Sequence, residues 1–101
     1  MNKKSIRLPA HPGLVLKEEL LDPAGLSLNR LVRELRVPVN RLSQIVHGKR
    51  AITPDTSIRL GRYFGFSQDY WLNLQTRYGF ELVRRQSGSR IEAEVRPRRA
   101  A

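Results

Sequence analysis

The chain has 101 residues, one domain's worth of length. Nineteen Lys and Arg against nine Asp and Glu leave a formal charge of +10, which argues for an anionic partner, with nucleic acid first among the candidates. The absence of cysteine excludes disulfides and gives no reason to invoke an oxidising compartment. The aliphatic run Leu14-Val15-Leu16 is far too short to span a bilayer, and Lys3, Lys4 and Arg7 are followed by no hydrophobic stretch that would make a secretory signal. A soluble cytosolic protein with no membrane partner is expected.

The charge is uneven. Residues 1–11 form a basic arm of +3, residues 12–82 hold ten basic and seven acidic side chains, and residues 83–101 carry six arginines against Glu92 and Glu94. Between Leu35 and Pro54 there is no acid, while Arg36, Arg41, Lys49 and Arg50 all fall there. The expected organisation is therefore an arm (1–11), a folded helical domain (12–82) and a basic tail (83–101).

In chain order, a first helix is predicted over about 12–21, opened by Pro12 and stopped by Asp22-Pro23-Ala24-Gly25. Ser27 is a good N-cap for a second, whose Leu28, Leu31, Val32 and Leu35 form an amphipathic stripe. A third runs from Pro38 to His47 and ends at Gly48 as a C′ glycine. Thr53-Pro54-Asp55 starts a fourth, closed by Gly65, and Ser67 caps a fifth that contains Trp71. Beyond Val83, Gln86-Ser87-Gly88-Ser89 reads as a flexible joint. The strict alternation of residues 90–96 then reads as a strand, with Ile91, Ala93 and Val95 on one face.

Two short helices joined by a tight turn, with acid-free basic flanks, describe a helix-turn-helix. The outward positions of the third helix are Val39, Asn40, Ser43, Gln44 and His47. Asn40 and Gln44 are four apart and share a face, and each amide can pair bidentately with adenine for about 1–3 kcal/mol of discrimination. Val39 suits a thymine methyl, Arg41 a guanine or phosphate, and Lys49, Arg50 and the helix start at Ser27 suit the backbone. His11 and His47 are too far apart in sequence, without cysteine, to suggest a zinc site. No nucleophile motif, glycine-rich phosphate loop or close carboxylate pair suggests an enzyme or a cofactor.

The run from Ser27 to Arg50, SLNRLVRELRVPVNRLSQIVHGKR, resembles the Xre/Cro-type helix-turn-helix. Residues 11–82 resemble HigA-type antitoxins through HPGLVLKEEL (11–20), GKRAITPDTSIRLGRYFG (48–65) and DYWLNLQ (69–75). The resemblance implies an all-α, five-helix, lambda-repressor-like domain with a basic C-terminal tail. It implies a homodimer that reads operator DNA, represses its own operon, and binds and neutralises a small RelE-like, HigB-type mRNA-cleaving toxin. It places base reading on Val39, Asn40, Arg41, Ser43 and Gln44, and phosphate contacts on Lys49 and Arg50; Ser27, Arg36 and His47 are expected beside them. Arg36 departs from the pattern, standing where such motifs often place glycine in a left-handed turn; Val32 and Pro38 replace a small alanine and a capping Ser or Thr.

Tyr70, Leu74 and Tyr78 could form a dimer seam; the tail's Ile91 and Val95 could add a strand to a partner's sheet, its six arginines could instead track DNA phosphates, or the tail could be disordered. A free-standing repressor without a toxin, and an RNA- or ribosome-associated basic protein acting through its tail, are the competing expectations.

Overall fold

The computed structural model describes residues 10–99, so the expected N-terminal arm lies outside the described residues except for Ala10 and His11. Five helical rods succeed one another, and no strand occurs among the described residues. The first rod is composite: α1 (Pro12–Val15), a π-helical stretch (Leu16–Leu21) and α2 (Asp22–Ala24). His11 caps it, Nδ1 accepting from the Gly13 amide at 2.9 Å. The rod does not stop at Asp22 as expected; it runs through Pro23 to a left-handed Gly25. A proline inside a helix needs room beside the carbonyl four residues back, and the widened π turn just upstream supplies it.

The helix-turn-helix follows as α3 (Leu28–Leu35) and α4 (Val39–Val46). Ser27 Oγ accepts from the Arg30 amide at 3.1 Å, as an N-cap should. Pro38 sits in the cap position of α4 in extended conformation, so that helix starts at Val39 with no side-chain cap. At its far end Lys49 N donates to the Gln44 carbonyl at 2.8 Å and Gly48 N to that of Ile45 at 3.0 Å, a complete Schellman closure. Arg36 adopts the left-handed turn, φ 60°, at a cost of about 1–2 kcal/mol for a residue with a Cβ.

Then come α5 (Pro54–Phe64) and α6 (Tyr70–Glu94). The cap of α6 is Asp69 rather than Ser67, whose hydroxyl donates to the Asp69 carboxylate at 3.0 Å. The tail is where expectation and structure part. Helix α6 continues through Gln86–Ser89, and residues 90–94 are helical. Neither a joint nor a strand is present there. The helix ends at Glu94, and Val95, φ −106° and ψ 110°, turns extended.

The core gathers one face from each rod: Leu16 and Leu21, Leu31 and Leu35, Leu42, Ile45 and Val46, Leu60, and Trp71, with Val37 and Ile52 from the connections. Full burial of such side chains contributes about 1.5–3 kcal/mol each. Gly13 sets how closely the first rod approaches α4: a Cβ there would lie 1.7 Å from the Ile45 carbonyl oxygen. Buried Ser57 joins α5 to the start of α6, donating to the Gln68 carbonyl at 2.7 Å and accepting from the Leu72 amide at 3.0 Å.

Candidate nucleic-acid interface

Core packing decides which side of α4 faces out. With Leu42, Ile45 and Val46 buried, Val39 (48% exposed), Asn40, Gln44 and His47 lie on the open side, and Ser43 is half-buried among them. Gln44 Oε1 accepts from Arg50 Nη1 at 3.3 Å, so the loop after α4 folds back toward the same face. His47 donates through Nδ1 to the Ser43 carbonyl at 2.7 Å, and with Ser27 it lines a shallow groove that runs to Lys17 and Asp22. Lys49 is exposed at the start of the loop. That loop is anchored at its far end, where buried Ile52 donates its amide to Gln75 Oε1 at 2.9 Å. Its two basic side chains therefore stand on a fixed support.

Arg41 is placed differently. Its guanidinium donates to Asp55 Oδ2 at 2.6 Å, and the same oxygen accepts from Arg59 Nε at 2.9 Å. Arg59 Nη1 reaches the Leu35 carbonyl at 2.8 Å, an acceptor at the open end of α3. The hydrogen bonds from Arg41 and Arg59 hold the Asp55 carboxyl below its usual range, so it stays charged. Asp55, read from sequence only as an acid at a helix start, orients the arginine that flanks the exposed face of α4. Its spacing to Arg59 is the i, i+4 of a helix pair, while its partner Arg41 is fourteen residues away and has no local signal.

Arg36 is not with Ser27 and His47; it lines a separate cleft with Arg59 and Arg62. Tyr70 stacks on Phe66 at 4.5 Å, Leu74 packs half-buried on the core, and Tyr78 meets His11 edge-on at 5.2 Å. Burial pushes the His11 imidazole below its ordinary value, against a backbone hydrogen bond at Arg50 that works the other way. Ile91 and Val95 are exposed near the end of α6. The exposed aromatic that sequence reading passed over is Phe80, 60% open to solvent beside Val83.

The geometry of α3 and α4 has known counterparts. The helix-turn-helix family HTH_3 matches residues 16–71. The chain belongs to this family. Among curated relatives of this helix-turn-helix protein, virulence-associated protein I of Dichelobacter nodosus is 45% identical over 83 residues, covering 81% of this chain and 77% of that one. The structure of an addiction module antidote protein of the HigA family from Coxiella burnetii is similar at TM-score 0.83 and 42% identity, covering 91% of this chain and all of that one. Pseudomonas aeruginosa antitoxin HigA, solved with the higBA promoter, is similar at TM-score 0.83 and 39% identity, covering 88% of this chain and 97% of that one. The expected Xre-type, HigA-like architecture is thus the observed one.

Proposed function

We propose that this protein is an antitoxin of a type II toxin–antitoxin module, a sequence-specific DNA-binding autorepressor that also binds and neutralises a RelE-like, mRNA-cleaving toxin in the cytoplasm. The observation that carries the DNA-binding half is the outer face of α4. Asn40 and Gln44 are exposed four residues apart on a helix whose flanks hold Lys49 and Arg50 but no acid. The likeness to a HigA solved with promoter DNA supports the same half. In this reading Asn40 and Gln44 pair with adenine edges, Val39 meets a thymine methyl, and Arg41 leaves or extends from Asp55 to reach guanine. Ser43, half-buried beside them, reads a base edge from the same face. Lys49, Arg50, His47 and the amides at the α3 start beyond Ser27 take phosphates.

Gel-shift titrations over a salt series with the chain's own upstream DNA test this assignment. Replacing Gln44 or Asn40 by Ala should lower affinity for that DNA about 5- to 150-fold, the equivalent of 1–3 kcal/mol, and leave random duplex unaffected. Replacing Lys49 and Arg50 together should weaken both and flatten the log–log salt slope by about 0.9 for each phosphate no longer neutralised. Equal weakening of specific and random DNA by Gln44→Ala would refute the reading face.

The toxin-binding half rests on the relatives' antitoxin names and is tested by what co-purifies with the tagged chain. A stoichiometric small basic protein that is toxic alone supports it, and recovery without such a protein favours a free-standing repressor. A reader of two half-sites about 34 Å apart works as a dimer. For the seam, α6 offers Tyr70, Leu74 and Tyr78 along one face, and exposed Phe80 and Val83 form a second apolar strip on a different face of the helix. A monomer at micromolar concentration in analytical ultracentrifugation would refute the dimer.

A further inference from the structure

Among the described residues, four helical ends close on a left-handed residue, and at three of them that residue is glycine: Gly25, Gly48 and Gly65. The fourth is Arg36, the sole non-glycine residue with positive φ among the described residues. Strain of this kind gathers at binding sites, and here the strained residue lines a cleft. The cleft, about 400 Å³, lies between the end of α3 and the side of α5, walled by Glu34, Leu35, Arg36, Arg59, Arg62 and Tyr63. No residue of the α4 reading face lines it.

Three guanidinium groups therefore border one cleft with a single carboxylate, and Glu34 faces Arg30 at 3.6 Å. Arg59 is fixed in place by Asp55 and the Leu35 carbonyl, which leaves three of its five N–H donors. Arg36 and Arg62 have no ion-pair partner among the described residues. All three arginines are exposed, and an anion seated in the cleft has more than one of them within the same lining to donate to it. A phosphate group matches best: its oxygens accept the paired donors of planar guanidinium forks.

We propose that this cleft is a phosphate-binding site, with Arg36 and Arg62 as its grips and Arg59 as its fixed floor. The phosphate belongs either to a nucleic-acid strand or to a free phosphate-bearing molecule. The first source rests on the DNA-binding reading above, and the second does not.

The full chain is tested as wild type, Arg36→Gly, Arg62→Ala and, as a matched charge loss elsewhere, Arg77→Ala. Arg36→Gly should melt above wild type in chloride because glycine relieves the left-handed turn, so any loss of binding is not unfolding. One arm compares melting in inorganic phosphate and in chloride at equal ionic strength. The other measures the salt slope on random duplex about two turns long, with the Lys49 and Arg50 replacements alongside.

A slope lower by about 0.9 in the Arg36 and Arg62 variants, but not in Arg77→Ala, establishes the site and assigns it to a strand phosphate. A phosphate-dependent rise in melting that both variants lose, with slopes unchanged, establishes it for a free phosphate. Melting indifferent to phosphate, together with slopes equal to that of Arg77→Ala, overturns it. In that case a flattened slope in the Lys49 and Arg50 variant shows that DNA binding itself stands. If wild type binds no duplex, the DNA reading fails and the melting arm alone decides the cleft.

Discussion

From Tyr70 to Tyr78, α6 buries Trp71 to 1% exposure, leaves Leu74 and Tyr78 half-buried, and uses Gln75 to hold the loop after α4. From Val83 to Glu94 the same helix is exposed at every residue but Ser87 and Gly88. What holds the second half is local. Its backbone bonds are joined by ion pairs one turn apart, Glu81 with Arg84 at 2.8 Å and with Arg85 at 3.5 Å, and Arg90 with Glu94 at 3.7 Å. Such pairs contribute about 0.2–0.5 kcal/mol each. Two halves of one helix thus answer to different forces, tertiary burial in front and local helix-forming tendency behind.

The largest effect separates them directly. Trp71→Ala should cost about 3–5 kcal/mol, a large share of a small domain's stability of roughly 5–15 kcal/mol. Ending the chain after Val83 should change stability by no more than about 0.5 kcal/mol. Urea unfolding of both measures the contrast, and comparable losses would mean that the rear half packs after all.

The same division explains what was legible in the sequence. Where a helix buries a face, the period shows it: Leu28, Leu31, Val32 and Leu35 announced α3, and Ser27 and Gly48 marked real caps. Where nothing is buried, the pattern is degenerate. Ile91 and Val95 are two alternation steps apart in a strand and one turn apart in a helix, and Arg90 and Glu94 share that spacing. Alternation over seven residues could not distinguish the two, and Gly88 misled further because a single glycine only weakens a helix. On the exposed face of α4, Asn40 and Gln44 were visible from spacing alone. The Asp55 clamp on Arg41 was not, because it joins residues on separate helices.

A middle-sized effect falls at the junction of the two halves, where Tyr78 meets His11. Burial lowers the folded-state pKa of His11 from 6.5, so the unfolded chain takes up the proton first. The stability due to neutral His11 is fully present above 6.5 and is lost as pH falls through that value toward the folded pKa. Asp55 adds its own loss only lower, below its ordinary 3.8. The urea midpoint should therefore fall from about pH 7.5 to about pH 5. His11→Asn, which keeps an acceptor for the Gly13 amide, should flatten that fall. An unchanged slope in the variant would show that the front half is insensitive to this contact.

The smallest effect is the most specific to the rear half. Gly88 lies in the helix interior, and a Cβ built there comes no nearer than 4.0 Å to Arg84. Alanine at that position should therefore gain local helix stability of about 0.5–1 kcal/mol. If the rear half is held only locally, that gain is not shared with the core. Amide exchange should slow over residues around 84–94 while the melting temperature stays within error of wild type. A rise in melting temperature equal to the local gain would mean that the two halves unfold together, and that the core reaches further along α6 than burial shows.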